Sequence, residues 1–199
     1  GPLRRYTLEK HVDTPCFPSS ELLFTTIGIE LGKLKNKVTG EELISIKTIG
    51  AVKALFLVIT ILLASLFFYR RAMYSTLLAN ALVTLLVLSD PGVTLYMNTF
   101  YTEFSAVYFL YLTLIGVVVL AKNHWRLIYS WILLIGLVGL SFSKPQHAPL
   151  AFCIAALLSL YALTKKQWAA APLMLLCAAL PFIAQQGGWY APRNESMIR

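Results

Sequence analysis

Six long apolar stretches, separated by short polar links, dominate this chain of 199 residues. A bilayer core about 30 Å thick needs roughly 20 mainly apolar residues per helix, with about 17 as the lower limit. All six stretches reach that limit. We therefore predict an all-α, polytopic transmembrane helix bundle with about six spans, near residues 48–69, 72–89, 104–121, 127–143, 148–164 and 168–184.

The composition supports a membrane protein and excludes several other classes. Hydrophobic residues make up 58% of the chain and charged residues 13%, about half the charged share of a typical globular domain. This excludes a soluble enzyme domain and a disordered tail. The sequence contains no P-loop, dinucleotide-binding, zincin or serine-hydrolase motif, so we expect no nucleotide or redox cofactor. The three cysteines predict neither a disulfide framework nor a metal site, and a divalent cation stays open as a cofactor.

Basic residues alternate between the links and predict the orientation. Short links with a basic pair follow the first, third and fifth stretches, and the positive-inside rule places them on the cytoplasmic side. The other links, residues 90–103, 144–147 and the tail from 185, then lie outside. The net charge of +8 would suggest nucleic acid in a soluble protein, but here we expect none as a partner. The basic pairs are Arg70-Arg71, Lys122 with Arg126, and Lys165-Lys166.

Residues 1–47 form a polar segment that we predict to lie on the outer face, before the bundle of residues 48–199. A long segment can translocate regardless of its charge. Within it, Ser19-Ser20-Glu21 precedes leucines at helical spacing, which indicates an N-capped amphipathic helix lying at the membrane interface. We expect the chain to be a piece of a longer protein with further helices.

The link of residues 89–103 is rich in polar and aromatic side chains. Asp90 and Glu103 bracket it, and Tyr96, Asn98 and Tyr101 lie between them. The carboxylates could act as a general base or organise a cationic site. Alternatively, Asp90 caps a helix ahead of Pro91, Glu103 complements a helix dipole, and the aromatic residues form an interfacial belt.

A second polar link, residues 143–149, connects two closely spaced helices that must form a hairpin. It brings Lys144, Gln146 and His147 to the mouth of the bundle. A cation beside an imidazole suits a phosphate or pyrophosphate group. The alternative is a solvated loop in which the lysine extends to the headgroups.

The two outer links, SDPGVTLYMNTFYTE and SKPQHAP, resemble those of the GT-C superfold of polytopic glycosyltransferases, and specifically bacterial membrane proteins of the hexose-transferase type. The resemblance implies a polyprenyl-phosphate sugar donor, a glycan or lipid acceptor and a site facing the periplasm of the bacterial cytoplasmic membrane. It also implies a first-loop carboxylate as catalytic base, here Asp13, with Asp90 or Glu103 as the second acid. Lys144 and His147 would contact the donor phosphate.

Two other classes compete with a glycosyltransferase. A transporter or flippase would place its substrate site near the bilayer midplane, among broken helices. A non-catalytic membrane subunit would need no carboxylates on the outer face. The polar residues gather at one surface, which favours the enzyme.

Overall fold

Helices form almost all of the regular structure that the chain shows. The computed structural model describes residues 5–6, 19–39, 44–91, 103–122, 130–166 and 170–186. Within these residues, two short strands pair antiparallel, with Arg5 opposite Ser45 and Tyr6 opposite Ile44. The predicted all-α fold class is confirmed. The helices are α1 (Glu21–Thr39), α2 (Ile46–Arg70), α3 (Tyr74–Val83), α4 (Glu103–Lys122), α5 (Ser130–Ser141), α6 (Ala148–Thr164) and α7 (Ala170–Gln186), and the strands are β1 (Arg5–Tyr6) and β2 (Ile44–Ser45).

Each of the six predicted spans overlaps one of the helices α2 to α7. Three helical stretches in the described part of the chain are long and apolar enough to cross a membrane: Ile46–Arg70, Glu103–Lys122 and Pro145–Thr164. Three shorter apolar stretches, Tyr74–Leu88, Ser130–Ser141 and Ala171–Leu180, occupy the other predicted spans. The number of membrane passes and the division at residue 47 stay predictions.

The chain divides into two compact units. One comprises residues 1–8 and 21–108, and the other comprises residues 9–20 and 109–199, so that α4 contributes its first six residues to one unit and the remainder to the other.

An aromatic cluster centred on Phe24 holds the first unit together. Phe24 is fully buried, and its ring makes edge-to-face contacts with Phe56 of α2 and with Phe104 and Tyr108 of α4 at centroid distances of 5.2–5.5 Å. Such pairs stabilise by about 0.5–1.5 kcal/mol each beyond the area they bury. The cluster therefore fixes α1 against α2 and the beginning of α4.

The opposite side of α1 is apolar but exposed. Leu22, Leu23, Leu31 and Leu34 are each about half exposed, while Gly28 on the packed side lies directly against Ile49. A Cβ at residue 28 would lie 2.8 Å from the Ile49 Cα, so only glycine permits this approach. A helix with one packed face and one exposed leucine face fits an interfacial position. That position stays a prediction.

A side-chain hydrogen bond joins α2 and α3. The Asn80 Nδ2 donates to the Ser65 hydroxyl at 3.0 Å, and Asn80 is buried. Polar side chains in the middle of apolar membrane helices commonly bond to a neighbouring helix, as Asn80 does here. Beyond α3 the backbone widens into a π-helical segment, Thr84–Leu88, which ends next to Asp90.

In two of the predicted cytoplasmic links, the preceding helix ends with the same backbone conformation. Ala72 after α2 and Lys166 after α6 adopt left-handed backbone conformations, with φ of 51° and 58°. A left-handed residue after a helix lets the next amides bond the last carbonyl groups, as the Met73 N–H does to the Phe68 oxygen. Both helices therefore end sharply at their basic pairs.

Small residues permit close helix packing in the second unit. A Cβ at Gly136 of α5 would lie 2.7 Å from the Thr113 backbone nitrogen of α4. Between α6 and α7, the Ser159 hydroxyl donates to the Ala171 carbonyl at 2.9 Å. The predicted hairpin of α5 and α6 thus packs with α7 around one apolar core. Its buried members are Leu120, Leu133, Leu134, Leu137, Ala155, Ala162, Ala171, Met174 and Ala178.

Candidate functional site

A single turn of 3-10 helix, Pro145–His147, lies in the second predicted outer link and contains Gln146 and His147. It follows Lys144, whose extended backbone breaks away from the end of α5, and it leads directly into α6. Pro145 at the first position has a fixed φ suited to starting such a turn. Lys144 and His147 are half-buried and Gln146 is exposed. The structure thus brings these three predicted residues together on one turn.

Ser143 anchors the imidazole of this turn. Its fully buried hydroxyl lies 2.9 Å from His147 Nδ1 and 2.7 Å from the Leu140 carbonyl oxygen. The His147 ring is consequently held in place by the buried Ser143 side chain. Sequence reasoning missed Ser143, although its spacing of four residues from His147 at a helix boundary was an available signal.

The segment before α1 is bound to the same turn. The Ser19 hydroxyl donates to the Ser143 carbonyl at 2.8 Å, and the Ser20 N–H donates to the Phe142 carbonyl at 2.9 Å. These bonds link residues that are more than 120 positions apart in the chain. They place residues 19 and 20 of the predicted outer-face segment beside the Lys144–His147 turn.

The two predicted carboxylates that the structure describes differ in their surroundings. Asp90 is exposed, and its backbone N–H donates to the Val87 carbonyl at the end of the π-helical segment. Glu103 is the first residue of α4, as a helix-dipole role requires, and its Oε2 is buried. Asp13, Tyr96, Asn98 and Tyr101 lie outside the described residues, so their predicted roles stay predictions.

A buried ion pair, which the sequence analysis did not predict, joins α1 and α2 in the first unit. The Lys53 ammonium of α2 contacts the Glu21 carboxylate of α1, and both side chains are almost completely buried. The Ser105 N–H donates to Glu21 Oε2 at 3.3 Å, and the ammonium lies 5.5 Å from the centre of the Phe104 ring. A lysine inside an apolar stretch was the available signal, because such a charge requires a partner.

The environment of Glu21 shifts the pKa of its carboxyl through opposing causes. Burial raises the pKa of this carboxyl above its ordinary value of 4.5, and the hydrogen bond and charge of Lys53, with the bonds from Ser105, offset part of that rise. A group enclosed in this way has no access to a substrate. We therefore interpret the Glu21–Lys53 pair as structural.

The Lys144–His147 turn, in contrast, has the chemistry of a binding site. A lysine ammonium is a point charge suited to a phosphate, and an imidazole and an amide can bond hydroxyl groups. Among the described residues, no group of three or more His, Cys, Asp or Glu side chains could hold a metal ion.

One family model matches the chain, and it covers residues 3–195. No curated protein and no solved structure matches the chain. The match spans nearly the whole sequence, and it agrees with the apolar helices of the structure. The chain is therefore an integral membrane protein and belongs to the family described as the YfdI N-terminal transmembrane domain.

Proposed function

We propose that this chain is the membrane-embedded part of a glycosyltransferase whose site lies on the outer face of the cytoplasmic membrane, as predicted from its sequence. It would move a sugar from a polyprenyl-phosphate donor to a cell-envelope glycan, lipid or protein acceptor, on the outer face of the bacterial cytoplasmic membrane. The observation that carries the proposal is the accessible, basic Lys144–His147 turn at the start of a helix long enough to span a membrane.

The donor chemistry suits this position. A polyprenyl-phosphate sugar carries its lipid in the bilayer and its phosphate at the headgroup level. A cation at the end of an apolar helix can meet that phosphate without being buried in lipid. Lys144 provides such a cation, and no soluble nucleotide is required.

The bonds from Ser19 and Ser20 support a role for the preceding segment. Asp13, the candidate base, is six residues from Ser19 in the chain. Six extended residues span at most about 22 Å. The Ser19 hydroxyl donates to the Ser143 carbonyl, so the length of chain between Ser19 and residue 13 permits a carboxylate there to approach the turn. In the proposed reaction, a carboxylate takes the proton of the acceptor hydroxyl as the sugar leaves the phosphate.

The transporter alternative has weaker support. Such a site requires helices that are unwound near the membrane centre. The described distortion, Thr84–Leu88, keeps helical hydrogen bonding and ends beside the exposed Asp90.

Substitution of the three carboxylates in the full-length protein tests the proposal. We expect Asp13→Asn, Asp90→Asn or Glu103→Gln to reduce sugar transfer by at least about 100-fold if that residue is the general base, with normal membrane insertion. Glu30→Gln is the matched control, since Glu30 is exposed on α1 and paired with Lys33 at 2.6 Å. Wild-type transfer by all three variants would refute a carboxylate base. Lost insertion would indicate a capping role.

A further inference from the structure

The geometry around Ser143 fixes which nitrogen of His147 carries a proton. The Ser143 hydroxyl lies 2.7 Å from the Leu140 carbonyl oxygen, and two oxygens this close require a proton between them. A carbonyl group cannot donate, so the single hydroxyl proton points to Leu140. The hydroxyl can then only accept from His147 Nδ1, which lies 2.9 Å away. Nδ1 of His147 is therefore the protonated nitrogen.

This assignment determines the chemistry of the other nitrogen. A neutral imidazole has one N–H, so Nε2 of His147 bears a lone pair and acts as a hydrogen-bond acceptor. Ser143 cannot easily reorient, because its side chain is fully buried and its own carbonyl accepts from Ser19. The tautomer is set by the fold and not by solvent.

On the basis of the function proposed above, we propose that His147 binds a hydroxyl group of the donor sugar through Nε2, while Lys144 alone supplies the charge for the donor phosphate. A phosphate diester has no proton to donate, so its oxygens would be repelled by a lone pair, whereas a sugar hydroxyl can donate to it. The sequence analysis predicts instead that both Lys144 and His147 contact the donor phosphate. The hydrogen bonding of Ser143 favours different ligand groups for the two residues, the phosphate for Lys144 and a hydroxyl for His147.

The first test is the tautomer itself, read by nitrogen NMR of the histidine-labelled full-length protein in detergent at neutral pH. The chain has three histidines, and the His147→Gln variant identifies the signal. We expect a neutral ring protonated at Nδ1. A ring protonated at Nε2, or at both nitrogens, would overturn the inference.

Ser143 is the positioning residue, and a matched serine controls for it. We expect Ser143→Ala to allow the Nε2–H tautomer of His147. Ser141→Ala is the control, because Ser141 is equally buried and bonds the Val138 carbonyl at 2.9 Å. Its substitution should leave the His147 signal unchanged. An unchanged signal in Ser143→Ala would contradict the positioning role, and the wild-type spectrum decides the tautomer even if that variant does not fold.

The second test uses undecaprenyl phosphate, which carries the phosphate but no sugar, at pH 8, where this monoester is fully ionised and has no proton to donate. We expect Lys144→Gln to weaken its binding about tenfold, as the loss of a charged hydrogen bond predicts. We expect His147→Gln to change its affinity less than about twofold, since the lone pair contributes nothing to phosphate binding. A similar loss in both variants would overturn the separation of roles.

A third arm tests the hydroxyl contact by sugar transfer in cells that express the full-length protein. The Gln side-chain oxygen can accept a bond near the position of Nε2, so His147→Gln should retain part of the transfer. His147→Lys, which keeps only a positive charge, should lose at least about tenfold. The reverse order would overturn the inference. If the wild type neither binds undecaprenyl phosphate nor transfers sugar, the proposed function fails, whereas the tautomer result stands by itself.

Discussion

Lys53 and Lys144 have the same side chain, but the fold places them in opposite environments. Lys53 is fully buried in the first unit, where it contacts Glu21 and the face of Phe104. Lys144 is half-buried at the start of a polar turn in the second unit. The first lysine is enclosed by groups that neutralise it, and the second is accessible. A charged side chain in a membrane protein therefore indicates function only when its surroundings leave room for a ligand.

The largest expected effect comes from breaking the buried pair. Replacement of Glu21→Leu leaves the Lys53 ammonium buried without its carboxylate, which should lower the free energy of unfolding by about 3–5 kcal/mol. Unfolding in mixed micelles measures the loss. Glu30→Leu is the control, because its ion pair with Lys33 is exposed and should contribute less than about 1 kcal/mol. Equal losses in both variants would show that Lys53 does not depend on Glu21.

Removal of both charges should restore most of the stability. The double variant Glu21→Leu with Lys53→Met replaces the pair by apolar side chains, which is often close to neutral. We expect its free energy of unfolding to lie within about 2 kcal/mol of the wild type. A double variant as unstable as Glu21→Leu alone would contradict the structural interpretation of the pair.

The pH dependence of stability follows from the raised pKa of Glu21. The folded state keeps this proton to a higher pH than the unfolded state, whose carboxyl titrates near 4.5. As pH rises from about 4.5 through the raised pKa, the unfolded state loses its proton first, so the free energy of unfolding falls. We expect the wild type to lose stability across this window relative to Glu21→Gln, which does not titrate there. A difference that is constant or rises with pH would contradict the shift.

The smallest effect on stability is expected at the accessible lysine. Because Lys144 lies at a turn outside the apolar core, Lys144→Gln should change the free energy of unfolding by less than about 0.5 kcal/mol. The same unfolding assay measures it beside Glu21→Leu. A large loss would make Lys144 a structural residue like Lys53, and the contrast between the two would disappear.

The helices were predictable from the sequence because apolar length and short polar links determine them locally. The predicted first span begins at residue 48 and the helix begins at Ile46, while the predicted last span overlaps α7, which continues through Pro172 and Pro181. Neighbouring helices can satisfy the backbone groups that a proline leaves unpaired.

The partners of particular polar groups were less accessible to sequence reasoning. Lys53 was visible as a charge in an apolar stretch, but its carboxylate, Glu21, lies in another helix and had a sufficient local explanation as a cap. Ser143 was one of many serines in polar links. Such pairings depend on how distant segments pack, which local patterns do not encode.

The side of the membrane on which the Lys144–His147 turn lies decides between the proposed site and its absence, because a lipid-linked sugar site on the outer face requires the turn there. Single cysteines at Ser89, Gln146 and Lys166, in full-length protein without Cys16, Cys153 and Cys177, can be labelled in intact cells with a membrane-impermeant thiol reagent. All three positions are exposed in the structure. We expect labelling at 89 and 146 but not at 166. Labelling at 166 alone would place the Lys144–His147 turn in the cytoplasm and contradict the proposed site.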